Sequence, residues 1–198
     1  MRFVISAALA LGLAAPSFAA AQGAPAPNAN ALGGVAIPGL CMINTQVVAG
    51  NSKVGQSATE RLQELQREAQ AEVNAEKAPL DAEIKALPGQ KATLKAADYQ
   101  AKEQALARRA QALQQKANAR SAQIELTRER ALGRISTEAQ SVIAAVYKAH
   151  GCGLLIDRNS VLGGNLANDL TPGVIQGLDA KISSITFDLE PLPAAPAR

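Results

Sequence analysis

The distribution of apolar and polar side chains predicts two long helices in the middle of the chain. From residue 57 to residue 147 the sequence consists almost entirely of Ala, Gln, Glu, Lys, Arg and Leu. Apolar side chains recur there mostly every three or four residues, which places them along one stripe of an α-helix. Pro88 and Gly89 form the strongest break in this region. The pattern therefore predicts two helices joined by a tip near residues 88–95.

The first helix is predicted to begin near Ser57, because Ser57 and Glu60 have the spacing of a capping box. Its apolar stripe continues to Leu87. Pro79 lies inside the stripe and removes one backbone hydrogen-bond donor. We therefore expect a kink in the helix at Pro79.

The second helix is predicted to begin between Lys91 and Asp98. From Leu106 to Ala117 its apolar steps alternate between four and three residues, which is the heptad pattern of a coiled coil. Many of these positions are alanine, so each buries little area. A polar, alanine-rich helix of this length needs a partner, and the other helix is the simplest one. Residues 53–147 are therefore interpreted as an antiparallel coiled-coil hairpin that forms a thin arm.

The segments on either side of the hairpin predict a small α/β body, made of residues 35–52 and 148–189. The strongest strand signals are Leu40–Asn44 and Cys152–Asp157, with a weaker one at Ser160–Gly163. The sequence contains no Trp and few other aromatic residues, so the body has a small aliphatic core. Small bodies with little core often need oligomerisation, so we expect an oligomer.

A short helix is predicted to close the body. Thr171 is suited to cap this helix, and Pro172 to occupy its first position. Its predicted buried face consists of Val174, Ile175, Leu178 and Ile182. The fold class is therefore mainly α, with a small β component.

The first 21 residues are typical of a secretory signal peptide. Arg2 provides a basic start, an apolar stretch runs from Val4 to Leu13, and small residues follow. This stretch is shorter than the roughly 20 residues that span a membrane. We expect cleavage between Ala19 and Gln22, followed by export. Residues 22–34 and 190–198 have the Ala- and Pro-rich composition of disordered segments.

The formal net charge of +3 is small, but the two predicted helices carry opposite balances. Acidic side chains prevail in residues 53–87 and basic ones in residues 91–134, which favours pairing of the helices. Five basic residues are candidates for binding: Lys102, Arg108, Arg109, Lys116 and Arg120. They form either a solvated helix face or a weakly attractive surface for anionic lipid, lipopolysaccharide or acidic protein segments. A nucleic-acid partner is not expected for an exported chain.

The sequence contains no residue pattern of an enzyme or of a metal site. The single histidine, His150, lies at a predicted helix end, where capping accounts for it. The glutamates of the first helix repeat along one surface without a histidine or cysteine to complete a metal site. Gly163 and Gly164 lack the residues of a phosphate-binding loop. We therefore expect neither catalysis nor a cofactor.

The two cysteines, Cys41 and Cys152, each fall in one of the two best predicted strands. Export makes a disulfide chemically possible. Cysteine is also a small residue that suits an apolar core, so two buried free thiols are an equal alternative. Two cysteines alone cannot form a metal site.

Three body segments together resemble the Skp/OmpH family of periplasmic chaperones: Met42–Val48, Gly151–Leu162 and Asn168–Ile175. They occur in the order and at the spacing of the body segments of that family. Tyr99–Glu103, followed by Leu106 and Gln111–Gln114, is similar to its returning arm. The chain departs from the family pattern in its cysteine pair, in Pro79 and in its Pro-rich tail.

The resemblance implies a homotrimer whose strands form a central body and whose arms enclose a cavity. Such proteins hold unfolded outer-membrane β-barrel proteins in the periplasm without ATP. We expect the trimer to assemble through Leu40–Ile43 and Leu154–Ile156, and the five basic residues to attract clients. The alternative from another class is a structural coiled-coil spacer or scaffold of the cell envelope.

Overall fold

The computed structural model of the chain describes residues 34–193. The predicted signal peptide, residues 22–33 of the predicted lead-in and residues 194–198 of the predicted tail lie outside this range. Within it, the chain forms a long two-helix hairpin on a small α/β body. No helix in the described range is both long and apolar enough to cross a membrane.

Two short parallel strands form the sheet of the body. Strand β1 (Leu40–Ile43) pairs with β2 (Leu154–Asp157), with Leu40 opposite Leu154. Parallel strands need a long crossover connection, and here that connection contains the entire hairpin. The open edge of β1 receives one further bond, from the Leu170 amide to the Met42 carbonyl (2.8 Å). β1 therefore lies inside the fold, and β2 forms its outer edge.

The weak strand predicted at Ser160–Gly163 is not formed. Residues Arg158–Ser160 make a 3₁₀ turn instead, and irregular chain follows to residue 165. The Asp157 carboxylate accepts a hydrogen bond from the Asn159 amide, which turns the chain away at the end of β2. This local side-chain bond ends the strand ladder.

Helix α1 (Thr45–Asn51) and helix α2 (Lys53–Ala86) are separated by Ser52 alone. The Ser52 hydroxyl accepts a hydrogen bond from the Gly55 amide and caps α2. The predicted start at Ser57 is therefore wrong by five residues. The reason is tertiary, because Ser52 is completely buried where α1 ends, whereas Ser57 is half-buried inside α2.

Helix α2 continues through Pro79 to Ala86, and a 3₁₀ turn at Leu87–Gln90 begins the tip. Helix α3 (Ala96–Ala149) then returns to the body, and its start falls within the predicted interval. The 54 residues of α3 extend roughly 80 Å at 1.5 Å per residue. Helices α2 and α3 and the tip between them form the hairpin.

The core of the body is aliphatic and includes the inner end of the hairpin. Its most deeply buried side chains are Val54, Ile135, Leu170, Val174 and Leu178. Val54 belongs to α2 and Ile135 to α3, so both helices of the hairpin are fixed in this core. Val174 and Leu178 of the predicted inner face of the last helix are buried, whereas Ile175 and Ile182 are half-buried and Ile182 follows the helix. Pro172 is the second residue of this helix, one position after the predicted one.

The predicted capping role of Thr171 is wrong. Helix α4 (Thr171–Lys181) already includes this residue, and its hydroxyl accepts a hydrogen bond from the Asn44 amide (2.9 Å). The Asp169 carboxylate accepts from the Thr171 amide instead. Tertiary contact with the chain after β1 thus replaces the local cap.

The sulfur atoms of Cys41 and Cys152 lie 1.95 Å apart, as a disulfide, with their Cα atoms 5.8 Å apart. Cys41 belongs to β1, whereas Cys152 lies two residues before β2. The pair therefore joins the start of the crossover connection to its end.

Candidate functional site

Ion pairs across the middle of the hairpin connect its two helices. Glu83 contacts Arg109 (2.6 Å), Glu76 contacts Lys116, and Glu72 contacts both Lys116 (2.6 Å) and Arg120 (2.8 Å). From Arg109 to Arg120 the residue numbers along α3 increase, while those of the paired glutamates along α2 decrease from Glu83 to Glu72. The helices are therefore antiparallel, and the prediction that their opposite charges favour pairing is confirmed.

Glu72 is the centre of these ion pairs. Hydrogen bonds from Arg120 and Lys116 lower the pKa of Glu72 from 4.5 to about 2. The same contacts raise the pKa of Arg120 and of Lys116 above their ordinary values. Glu72 thus remains charged throughout the neutral and mildly acidic range.

The five basic candidate residues have different surroundings. Arg109, Lys116 and Arg120 contact glutamates of α2, so their charges are already matched within the hairpin. Lys102 donates to the side chain of Gln90 and Arg108 to that of Gln104. Within residues 34–193, Lys102 and Arg108 make no ion pair. Their role in attracting a partner stays a prediction, and the other three residues contribute to helix pairing.

An extended segment, residues 183–190, lies along one side of the hairpin where the hairpin leaves the body. This segment, the strap, follows α4 and contacts both long helices. Arg61 of α2 donates to the Phe187 carbonyl (3.2 Å), and Arg134 of α3 donates to the Thr186 carbonyl (2.9 Å). The buried hydroxyl of Thr127 accepts from the Glu190 amide (2.9 Å). The strap thus runs outward from the body, in the groove between α2 and α3.

The side chains of the strap alternate between the groove and solvent. Ile185 is buried, with 7% of its surface exposed, and it joins the core of the body. Phe187 and Leu189 are half-buried, whereas Thr186 and Asp188 between them are exposed. This is the period of two that an extended chain produces. The alternation of apolar and polar residues is visible in the sequence of the strap. It did not predict where the strap lies, because the segment has no partner strand.

An open apolar cleft lies on the opposite side of the hairpin base. It has a volume of about 430 Å³ and is lined by α1, α2 and α3. Its apolar side chains include Val48, Leu62, Leu132, Ile135 and Ile143. One side of the base is thus covered by the strap, while the other side is open within the described chain.

The outer strand of the sheet carries an exposed apolar side chain, because Leu154 of β2 is 54% exposed. Leu162, in the irregular chain after β2, is fully exposed. Val35, Ile37 and Leu166 are exposed as well, in segments that Asn165 and Asn168 join on the β1 side of the sheet. An exposed leucine on an open strand edge is typical of an interface.

In residues 34–193, no group of three or more His, Cys, Asp or Glu side chains could hold a metal ion. Every buried side-chain nitrogen or oxygen in this part of the chain has a hydrogen-bond partner. The groove under the strap and the open apolar cleft are the candidate binding surfaces.

Comparisons with known proteins agree with this architecture. The sequence model of a family described as outer membrane protein (OmpH-like) matches residues 39–178. The fold is similar to a crystal structure from Caulobacter crescentus CB15, of a protein described as a proposed outer membrane chaperone (OmpH-like). The two chains are 36% identical with a TM-score of 0.76, and the similarity covers 80% of this chain and 94% of the other. No curated protein matched the chain.

The family match includes both strands, both hairpin helices and most of α4. It contains all three body segments on which the resemblance in the sequence rested, so that resemblance is confirmed. On the family match, together with the shared fold, the chain belongs to the OmpH-like outer membrane protein family.

Proposed function

We propose that this protein is an ATP-independent holdase that binds unfolded outer-membrane β-barrel proteins in the periplasm and prevents their aggregation. The observation that carries this proposal is the hairpin itself. It projects from the body, and its groove and cleft at the base suit extended chains rather than a small substrate. Family membership supports the same function.

Weak binding at many points suits such a client. Unfolded β-barrel strands are apolar at alternate residues and aggregate through their unpaired edges. The hairpin offers separate apolar sites between polar and charged surfaces, so different sequences can be held without a strict motif. Multiple weak contacts on one chain raise the overall affinity.

We further propose that three chains assemble through the outer edge of β2, with coiled-coil arms around a shared cavity. The exposed Leu154 on the open edge of β2 supports this contact. Cys41, Met42 and Ile43 of β1 are buried within their own chain, so β2 is the better-placed strand for pairing with a second copy. Light scattering should give the mass of a trimer, and Leu154→Lys should lower it to that of one chain. A stable monomer of the unmodified protein at micromolar concentration contradicts the trimer.

The holdase activity is tested by diluting a urea-unfolded outer-membrane β-barrel protein into buffer with and without this protein. Light scattering should stay low in its presence, equally with and without ATP. An inert helical protein at the same concentration is the control. Stable capture of an envelope component without any suppression of aggregation would instead support the structural spacer.

The role of the basic residues is tested by dividing them into two groups. Replacing Lys102 and Arg108 by Gln should slow client capture and weaken its salt dependence, because their charges are not matched within the described chain. Replacing Arg109, Lys116 and Arg120 by Gln should mainly loosen the hairpin, seen as faster hydrogen exchange. Unchanged capture in the first variant would mean that its charges are only a solvated face.

A further inference from the structure

We propose that the groove filled by the strap is a binding site for an extended client segment with alternating apolar side chains, and that the strap is a built-in competitor for it. This inference rests on the proposed function and specifies where on the hairpin a client strand would bind. The groove is bounded by Arg61 of α2 and by Thr127 and Arg134 of α3.

The groove contacts the backbone of the strap, and two exposed ion pairs add to this, Arg61 with Asp188 (3.1 Å) and Arg130 with Glu190 (3.6 Å). Arg61 and Arg134 donate to consecutive carbonyl groups, those of Phe187 and Thr186, and Thr127 accepts from the Glu190 amide. The three hydrogen bonds to the backbone do not depend on the side chains of the bound segment. Any extended chain presents the same carbonyl and amide groups, so the contacts suit clients of different sequence.

The side-chain requirement of the groove is alternation. Ile185, Phe187 and Leu189 face the protein, whereas Thr186 and Asp188 face solvent. The strands of a β-barrel carry this pattern, because one face meets lipid and the other meets the lumen. An unfolded barrel strand can therefore replace the strap residue for residue.

The groove is preformed on rigid elements. Arg61 is held by Glu64 (2.6 Å) on its own helix. Thr127 is fixed by the bond that its hydroxyl donates to the Gln123 carbonyl (2.7 Å). Neither of these two contacts involves the strap, so each residue keeps one partner within its own helix when the strap leaves.

The strap itself is replaceable. Within residues 34–193 its backbone makes no hydrogen bond to another backbone group, and it belongs to no sheet. Two open clefts of about 500 Å³ each border it, one towards α2 and one towards α3. Because the strap follows α4, the last helix in the described residues, its detachment removes Ile185 from the core of the body but breaks no helix or strand of that region. A client that contacts several sites gains enough avidity to displace it.

A labelled peptide with the sequence of residues 183–190 tests the site by fluorescence anisotropy. Two variants release the groove: one ends at Ile182, and one keeps the full length with Ile185→Ser and Phe187→Ser. Both should bind the peptide about tenfold more tightly than the unmodified chain, because the tethered strap competes at high effective concentration. A peptide of the same composition with its apolar residues adjacent should bind at least about tenfold more weakly.

Substitutions on the two sides of the hairpin base locate the bound peptide. In the variant that ends at Ile182, Arg134→Gln should weaken binding of the peptide. Leu132→Ser, in the apolar cleft on the opposite side of the hairpin base, should leave binding of the peptide unchanged. Equal affinity of released and unmodified chains overturns the proposal, as does equal binding of the two peptides. Loss of binding with Leu132→Ser but not with Arg134→Gln overturns it as well.

The intact protein provides a measurement that needs no variant. Adding an unfolded β-barrel protein should speed hydrogen exchange at the Glu190 amide, because the strap leaves Thr127. Unchanged exchange with client bound overturns the proposal. If aggregation is suppressed but the peptide does not bind the released chains, this inference fails and the holdase function stands. If the peptide binds but aggregation is not suppressed, the holdase function fails and the groove remains a peptide site.

Discussion

The body and the outer half of the hairpin are stabilised by different interactions. In the body, side chains such as Leu170, Val174 and Leu178 are completely or almost completely buried. In the outer hairpin only Leu80, Leu87 and Leu106 form a buried apolar cluster, at the tip. Between this cluster and the base, the ion pairs centred on Glu72 and a few small buried contacts, which include Ala69 and Ile124, connect the helices. The body thus has a packed core, while the middle of the hairpin has a thin apolar seam and ion pairs.

The difference predicts two levels of stability within one chain. Apolar burial involves no charges that salt could screen, whereas exposed ion pairs are screened and contribute little individually. Regions with few buried contacts open locally at low free energy. The hairpin should therefore open without loss of the body, which suits a surface that has to adapt to different chains.

The largest expected effect is that of the disulfide on the body. Cys41 and Cys152 are separated by 111 residues. In the chain-entropy model, a crosslink over a loop of this length stabilises the folded state by about 4–5 kcal/mol. Cys41→Ser with Cys152→Ser should lower the free energy of unfolding by up to this amount, measured in urea at fixed protein concentration. Two free thiols titrated in the exported protein contradict the crosslink.

Equivalent leucine truncations compare the two regions directly. Leu178→Ala in the body should cost about 4 kcal/mol, because its side chain is completely buried. Leu106→Ala at the tip should cost about 2 kcal/mol, because a thin cluster collapses or admits water more readily. Hydrogen exchange should show the first change throughout the body and the second only near the tip. Equal effects on both regions would mean that the chain unfolds as one unit.

Two glycine substitutions should have opposite signs. A Cβ atom at Gly55 would lie 1.6 Å from the Ala49 carbonyl oxygen, so Gly55→Ala should destabilise the body by about 1–3 kcal/mol. A Cβ atom at Gly133 meets open space, so Gly133→Ala should stabilise α3 by about 0.5–1 kcal/mol. Thermal unfolding followed by circular dichroism measures both. A stabilised Gly55→Ala would contradict the close contact between α1 and α2.

The smallest effect is the pH dependence of the hairpin. The folded pKa of Glu72 is lowered to about 2, so its ion pairs stabilise the fold above its ordinary pKa. This contribution is lost as the pH falls from about 4.5 towards 2. Glu72→Gln should therefore be less stable than the unmodified protein at pH 6, and the difference should vanish near pH 2. Glu125→Gln is the control, since Glu125 makes no ion pair within the described residues; a constant difference for Glu72→Gln would exclude the linkage.

The long elements of the fold could be predicted from sequence, because their signals are local. Helical periodicity and the break at Pro88 and Gly89 were sufficient for the hairpin and its tip. The start of α2 was missed because Ser52 and Ser57 are equally suitable caps in isolation. Only the burial of Ser52 under α1 decides between them.

The candidate site was less predictable, because it depends on register between distant segments. The sequence showed that α3 is basic, but not that Arg109, Lys116 and Arg120 would meet glutamates of α2. Ile185 and Phe187 showed alternation, but the groove that receives them is assembled from two helices far away in sequence. Such pairings follow from tertiary packing, for which a single sequence carries no local signal.

The crossover between β1 and β2 determines the order in which the chain can fold. β1 is synthesised long before its partner strand, because the entire hairpin lies between them in the sequence. Contacts between distant residues form late, because closing a long loop costs entropy before the contacts that stabilise the closed loop have formed. The hairpin, whose tip brings its own helices together, is therefore the natural nucleus, and the sheet closes last. Until then Cys41 remains a free thiol, and β1 is an unpaired strand exposed to the same aggregation that the finished protein is proposed to prevent in others.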